Sequence, residues 1–305
     1  MKKKVTGGFS LSPPLKALKK KLEIQQQTVS VFEPNMVFIP LSQHIGAPAQ
    51  PIVSPGDYVK QGQVIGESDA FVSAKVHASI SGKVLDITEW PNQNNQTTQT
   101  IVIENDFNYD NDFLSSPFSW EEASNDLIKK KIQQAGIAGK GGATFPTHVK
   151  FAIDDTKKID TLILNGAECE PFLSSDALLM EQAASKIIEG ALIARKLLQD
   201  PLIIIGIEDD KPLAIAAMKK TTTSYPFIQV KVLPTVYPTG GEKQLVEVLL
   251  DREVPLGKLT ADIGVVLMNV ATSFALCEAV CWNKPLINRY TTVTGDVQQP
   301  QVIQS

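Results

Sequence analysis

Between Thr161 and Trp282 short apolar runs alternate with helical stretches, and this restricts the possible folds more than any other feature of the chain. The runs are TLILN (161–165), PLIIIGI (201–207), IQVKVL (228–233) and IGVVLMN (263–269). They are rich in branched residues and apolar on both faces, the pattern of strands covered front and back. One helical period runs from Asp176 to Leu198, with Leu178, Leu179, Ala183, Ile187, Ile188, Ala191 and Leu192 on one side. Others cover 211–220, 241–251 and 271–282. Such alternation predicts an α/β fold with a mostly parallel sheet. Ligands of these sheets bind beyond the carboxyl ends of the strands.

Three strand ends carry polar or glycine-rich segments. NGAECEP (165–171) follows the first strand, with Asn165, Glu168 and Glu170. PTVYPTGGEKQL (234–245) follows the third, and Gly240 and Gly241 there open a helix whose N–H groups suit an anion. MNVAT (268–272) follows the fourth. Upstream, GIAGKGGATFPTHVK (136–150) places four glycines in seven residues, a density that lets backbone approach a phosphate. It is not a P-loop, because no Gly-Lys-Ser or Gly-Lys-Thr follows. Nor is it a dinucleotide fingerprint: Thr144 takes the third glycine position, and an amphipathic helix (121–135), not a strand, precedes the loop.

The preceding part reads as an N-terminal arm (1–36) and then an all-β segment (37–106). Pro-Gly-Asp at 55–57 and Gln-Gly-Gln at 61–63 are turn signals between branched runs. The strands PGDYVKQGQVI and SISGKVLDI resemble those of barrel-sandwich domains that carry biotin or lipoate. Such carriers need a lysine at the hairpin tip; Phe71 fills that slot and Lys75 lies four residues late. The expectation is therefore a domain that docks or orients something. With a net charge of −4 over 305 residues, nucleic acid is not an expected partner. The lysines at 2–4, 16 and 19–21 read as a solvated arm or a contact for an acidic surface. No signal-peptide core follows them, and Asn269, Ser273 and Glu278 interrupt the most apolar stretch, so no membrane span is expected. Cys169, Cys277 and Cys281 fall one short of an iron–sulfur ligand set, and the last two read as core side chains; no metal site is expected. His148 reads as a surface residue of a short helix.

GIAGKGGATFPTHVK, LILNGAECEPFLSSD, YPTGGEKQL and MNVATSFALCEAV together resemble the flavin- and NADH-binding segments of the NADH-oxidising subunit of respiratory complex I. The likeness is closer to the C subunit of the Rnf ion-translocating oxidoreductase family, which also carries a barrel-sandwich domain before the flavin fold. IPLSQHIGAPAQPIV and ESDAFVSAKVHA resemble that domain. The resemblance implies an α/β FMN- and NADH-binding domain over 107–283. It places Gly139, Gly141 and Gly142 under the FMN phosphate and ring, and Lys150 on the phosphate side. Asn165, Tyr237, Gly240 and Gly241 would contact the flavin, and Asn269 and Thr272 its phosphate. Phe145 would stack on the nicotinamide nucleotide, with Glu170 and Glu242 facing its ribose or ring.

The implied role is electron input: NADH oxidation within a membrane-bound complex, on the cytoplasmic side of the inner membrane, attached through other Rnf-type subunits. No side chain in these loops is needed as an acid or nucleophile, since a hydride passes directly between stacked rings. Three departures stand out. Thr144 replaces the usual glycine, and at a position requiring positive φ it would be strained by about 1–3 kcal/mol. Ala167 replaces the aspartate of complex I. The tail KPLINRYTTVTGDVQQPQVIQS (284–305) resembles the opening strands of a β-grasp domain, so the expectation is a C-terminally truncated family member. The two 4Fe-4S clusters would lie only in the full-length member. The alternative is a docking scaffold of the same complex that has lost cofactor binding.

Overall fold

The computed structural model describes residues 29–91, 96–153, 157–170 and 172–304. Most of the basic arm, the middle of the polar connector after Trp90, and Pro171 of the NGAECEP segment lie outside the described residues. In chain order the first strands are β1 (Ser30–Val31), β2 (Met36–Pro40), β3 (Gln50–Pro51) and β4 (Tyr58–Val59). Next come β5 (Val64–Glu67), β6 (Val76–His77), β7 (Gly82–Pro91) and β8 (Thr97–Asn105), then helices α1 (Asn125–Gln134) and α2 (Thr147–Lys150). The alternating part comprises β9 (Thr161–Gly166), α3 (Ser175–Leu197), β10 (Leu202–Glu208), α4 (Pro212–Thr222), β11 (Ile228–Leu233) and α5 (Glu242–Leu250). Last come β12 (Val265–Asn269), α6 (Val270–Trp282), β13 (Tyr290–Val293) and β14 (Gln301–Gln304).

Contacts divide the described chain into two units, one of residues 29–32, 153–274 and 289–304, the other of 33–152 and 275–288. Residues 107–152 group by contacts with the barrel strands. The reason is local: the chain after β8 stays bonded to barrel residues, with Asp110 accepting from the Gln61 N–H at 2.8 Å.

In the first unit β11, β10, β9 and β12 lie side by side and pair in parallel throughout. Leu162, Ile163 and Leu164 are fully buried, as are Ile203, Ile205 and Ile207, because helices cover both faces. From β9 the chain steps outward through α3 to β10 and through α4 to β11. It then returns over α5 to β12, on the other side of β9. Right-handed crossovers put α3 and α4, which pack together, on one face and α5 on the other. There Leu245, Val246 and Val248 of α5 cluster with Ile163, Val265 and Leu267. A small sheet, β1-β14-β13, joins the two ends of the described chain, β1 running parallel to β14.

The second unit holds a four-stranded antiparallel sheet, β2-β8-β7-β4, and a three-stranded one, β3-β5-β6. Leu41, Val59, Ile65, Ala78, Val84, Ile101 and Ile103 fill the core. The signalled turns form at Gly56 and Gly62, both with positive φ. α1 starts at Asn125, later than the sequence periodicity implied, because the Ser124 hydroxyl caps it by accepting from the Leu127 N–H.

Candidate functional site

Strand order reverses between β9 and β12, and the carboxyl ends of those two strands border the crevice in which doubly wound sheets bind ligands. Asn269 ends β12 and is paired in register with Asn165, the last residue but one of β9. Asn165 Nδ2 donates to the Gly240 carbonyl at 2.9 Å, and its Oδ1 accepts from the Ala167 N–H at 3.0 Å. The asparagine thereby ties β9 to the double-glycine turn before α5. A Cβ on Gly240 would lie 2.6 Å from the Ala167 carbonyl oxygen, so only glycine permits this approach. Asn269 Nδ2 donates to Asp176 Oδ2 at 2.7 Å and lies 3.4 Å from the Asn165 carbonyl, while its Oδ1 accepts from the Ala271 N–H. Tyr237, joined to Pro238 by a cis peptide, is partly exposed beside the turn. Thr272 is buried in the first turns of α6, Glu170 is exposed, and Glu242 opens α5 and accepts from Thr260 Oγ1 at 3.1 Å.

Four helices, α3, α4, α5 and α6, begin at this edge, one after each strand, and their N-termini differ. Glu168 is buried and serves α3, accepting from Ser175 Oγ and the N–H groups of Asp176 and Ala177 at 3.0–3.4 Å. Burial pushes its carboxyl upward in pKa, opposed by the Lys211 ammonium. α6 is served by Asn269. α5 has Gly241 at its N-cap and, like α4 behind Lys211, no side-chain cap. Its first N–H groups have no partner within the helix and carry the positive end of its dipole. Lys211 is fully buried behind the edge; its Nζ donates to Asp210 Oδ1 at 2.7 Å and lies 3.8 Å from Glu208 Oε2. The sequence reading missed Asp176 and this cluster, since IEDDK after a strand reads as a solvated turn.

The predicted residues Gly139, Gly141, Gly142, Phe145 and Lys150 belong to the second unit. There the glycine loop is a narrow hairpin: the Gly139 N–H donates to the Phe145 carbonyl at 2.9 Å and the Thr147 N–H to Ile137 at 2.7 Å. Gly142 has φ +112 and open space around it, and Thr144 has φ +46, in the left-handed region. His148 is not a bare surface residue. It is half-buried, its Nε2 lies 3.3 Å from the Phe71 carbonyl, and burial lowers its pKa. Lys75 is ion-paired to Glu67, and Cys169, Cys277 and Cys281 are buried and not joined by disulfides. Among the described residues no acidic, histidine and cysteine cluster suits a metal ion, and no helix is long and apolar enough to cross a membrane.

Residues 5–108 match the family model of the RnfC barrel sandwich hybrid domain, and residues 132–278 match that of the Nuo51 FMN-binding domain. The chain is 48% identical over 272 residues to the C subunit of the proton-translocating ferredoxin:NAD+ oxidoreductase complex of Clostridium ljungdahlii, covering 88% of this chain and 59% of that one. The chain belongs to the RnfC family. Acetobacterium woodii has a Na+-translocating relative in this family, 46% identical over 274 residues, covering 89% of this chain and 62% of the relative. The C subunit of the ion-translocating oxidoreductase complex of Pseudomonas aeruginosa is 41% identical over 291 residues, covering 95% and 37%. The chain thus spans about three-fifths of the length of the first two relatives. The crystal structure of an NAD+-reducing NiFe hydrogenase in the H2-reduced state shares the fold over 60% of this chain and 37% of that one, with a TM-score of 0.50 at 22% identity.

The crevice chemistry fits the flavin mononucleotide that the matched domain model names. The uncapped N-terminus of α5 offers N–H donors and positive dipole to a phosphate. One Nδ2 hydrogen of Asn165 remains for a ring carbonyl, since an amide has two and Gly240 takes one.

Proposed function

We propose that this chain is the FMN-binding, NADH-oxidising electron-input subunit of a membrane-bound ion-translocating oxidoreductase. The observation that carries the reading is the meeting of Asn165, Asn269 and the uncapped, glycine-led helix α5 at the strand-order reversal. In this reading residues 37–106 form the barrel-sandwich domain, 107–283 the flavin-binding domain and 284–305 the beginning of a β-grasp domain. Gly139, Gly141, Gly142, Lys150, Asn165, Tyr237, Gly240, Gly241, Asn269 and Thr272 hold the flavin. Phe145, Glu170 and Glu242 hold NADH, whose hydride the bound flavin accepts. The chain's own residues keep the rings at contact distance and exclude water. Carboxylates that bind ribose hydroxyls contribute about 1.5–3 kcal/mol each. The chain lies peripherally on the cytoplasmic side of the inner membrane, attached through other Rnf-type subunits; 4Fe-4S clusters in the longer family members take the electrons singly.

A second reading, a scaffold without cofactor, has one observation in its favour: both Nδ2 hydrogens of Asn269 already face acceptors, Asp176 and the Asn165 carbonyl. Titrating the purified chain with FMN separates the two. Quenched flavin fluorescence and a raised melting temperature are expected, followed by bleaching of the bound flavin on addition of NADH. No response at near-millimolar FMN upholds the scaffold.

A further inference from the structure

The chain has three histidines, and all of them lie where the barrel strands meet the segment that carries the glycine loop. His77, at the end of β6, has Nε2 2.9 Å from the carbonyl of Gln134, the last residue of α1. Directly after α1, Gly136 has φ +60 and packs so closely on the Lys75 carbonyl that a Cβ would sit 2.1 Å from the oxygen. At the other end of the loop, His148 Nε2 faces the Phe71 carbonyl, and the two rings meet edge to face with centroids 6.4 Å apart. In the middle, the Ile45 N–H donates to the carbonyl of Thr144, the residue with strained φ, at 3.1 Å.

The two barrel loops that make these contacts are laced to each other. The Ala47 N–H donates to the Val72 carbonyl at 3.0 Å, and Ser73 Oγ donates to Ala47 at 2.9 Å. His44 Nε2 accepts from the Ala74 N–H at 3.2 Å, which leaves Nδ1 as the ring's donor toward the Ile45 carbonyl. The hairpin tip that a carrier domain leaves free for its modified lysine is here engaged by its backbone.

We propose that the barrel-sandwich domain is an internal brace for the glycine loop, with His148 and Phe71 as positioning residues that hold it in its ligand-ready shape. The inference rests on the flavin reading for the identity of that ligand, but not for the brace itself. The loop is gripped at both ends and at Thr144, so its hairpin is set before any ligand arrives, and binding need not order it.

The test is backbone amide exchange on the whole chain without nucleotide, together with FMN affinity, for His148→Ala, Phe71→Ala and His148→Gln. In the two alanine variants the amides of Gly139, Thr147 and Ile45 are expected to exchange about tenfold faster, while those of β9, β10 and β12 keep their rates. FMN affinity falls by a similar factor. His148→Gln keeps an N–H donor and restores both. Unchanged exchange in the loop, or faster exchange everywhere, overturns the brace. Should the wild type fail to bind FMN while loop exchange still responds, the brace stands and the flavin reading falls.

Discussion

Thr144 holds φ at +46, where a β-branched side chain crowds the neighbouring backbone. The Ile45 N–H bonded to its carbonyl helps to offset a local penalty of about 1–3 kcal/mol. Thr144→Gly removes the crowding but adds about 0.4–1 kcal/mol of freedom to the unfolded chain. A net gain of about 1 kcal/mol is expected, measured as a higher urea midpoint at constant m value. A midpoint at or below that of the wild type would refute the strain. Asp176 answers a different question, because it holds Asn269 at 2.7 Å from a separate element. Asp176→Ala should cost about 1.5–3 kcal/mol, the value of a bond to a charged group, and Asp176→Asn about half of that. Equal losses in the two variants would mean that the bond itself contributes nothing.

At the scale of elements, α1 is tied to β6 through His77, whose burial lowers its pKa to about 4. The unfolded chain takes up this proton near the ordinary value of 6.5 and the folded protein only near 4. The contribution to stability is therefore complete above pH 6.5 and is lost as pH falls toward 4, by about 3 kcal/mol in all. Urea midpoints measured across this window should fall more steeply for the wild type than for His77→Gln; parallel curves would clear His77 of the effect. The alternating strands and helices were legible in the sequence because covered strands and amphipathic helices write their burial into local periodicity. The strand ends were legible for the same reason, since a break in the apolar run marks them. The register that sets Asn165 beside Asn269 and the grip of Ile45 on Thr144 were not, because each joins residues about a hundred positions apart. Nothing in the residues around Lys211 signals its burial either, since it reaches back to the Glu168 carbonyl, 43 positions away.

In the whole molecule, residues 30–31 and 301–304 pair in one sheet, and Ser30 Oγ donates to Gln301 Oε1 at 3.0 Å. Val302 is buried there beside Leu178, Val29 and Tyr290. Val302→Ala should cost about 2 kcal/mol by the loss of apolar burial, measured by urea unfolding, with β1 amides exchanging faster. A loss well below that figure would show the sheet to be ornamental to stability. The same pairing bears on how the polypeptide is made. Each of the two compact units includes residues beyond 274, one closing with 275–288 and the other with 289–304. At ribosomal speeds, roughly 15–55 s separate the emergence of β1 from that of β14. Through that interval the nascent chain carries an unmatched strand and leaves Leu178 without its partner Val302, the period in which a chaperone would have most to shield.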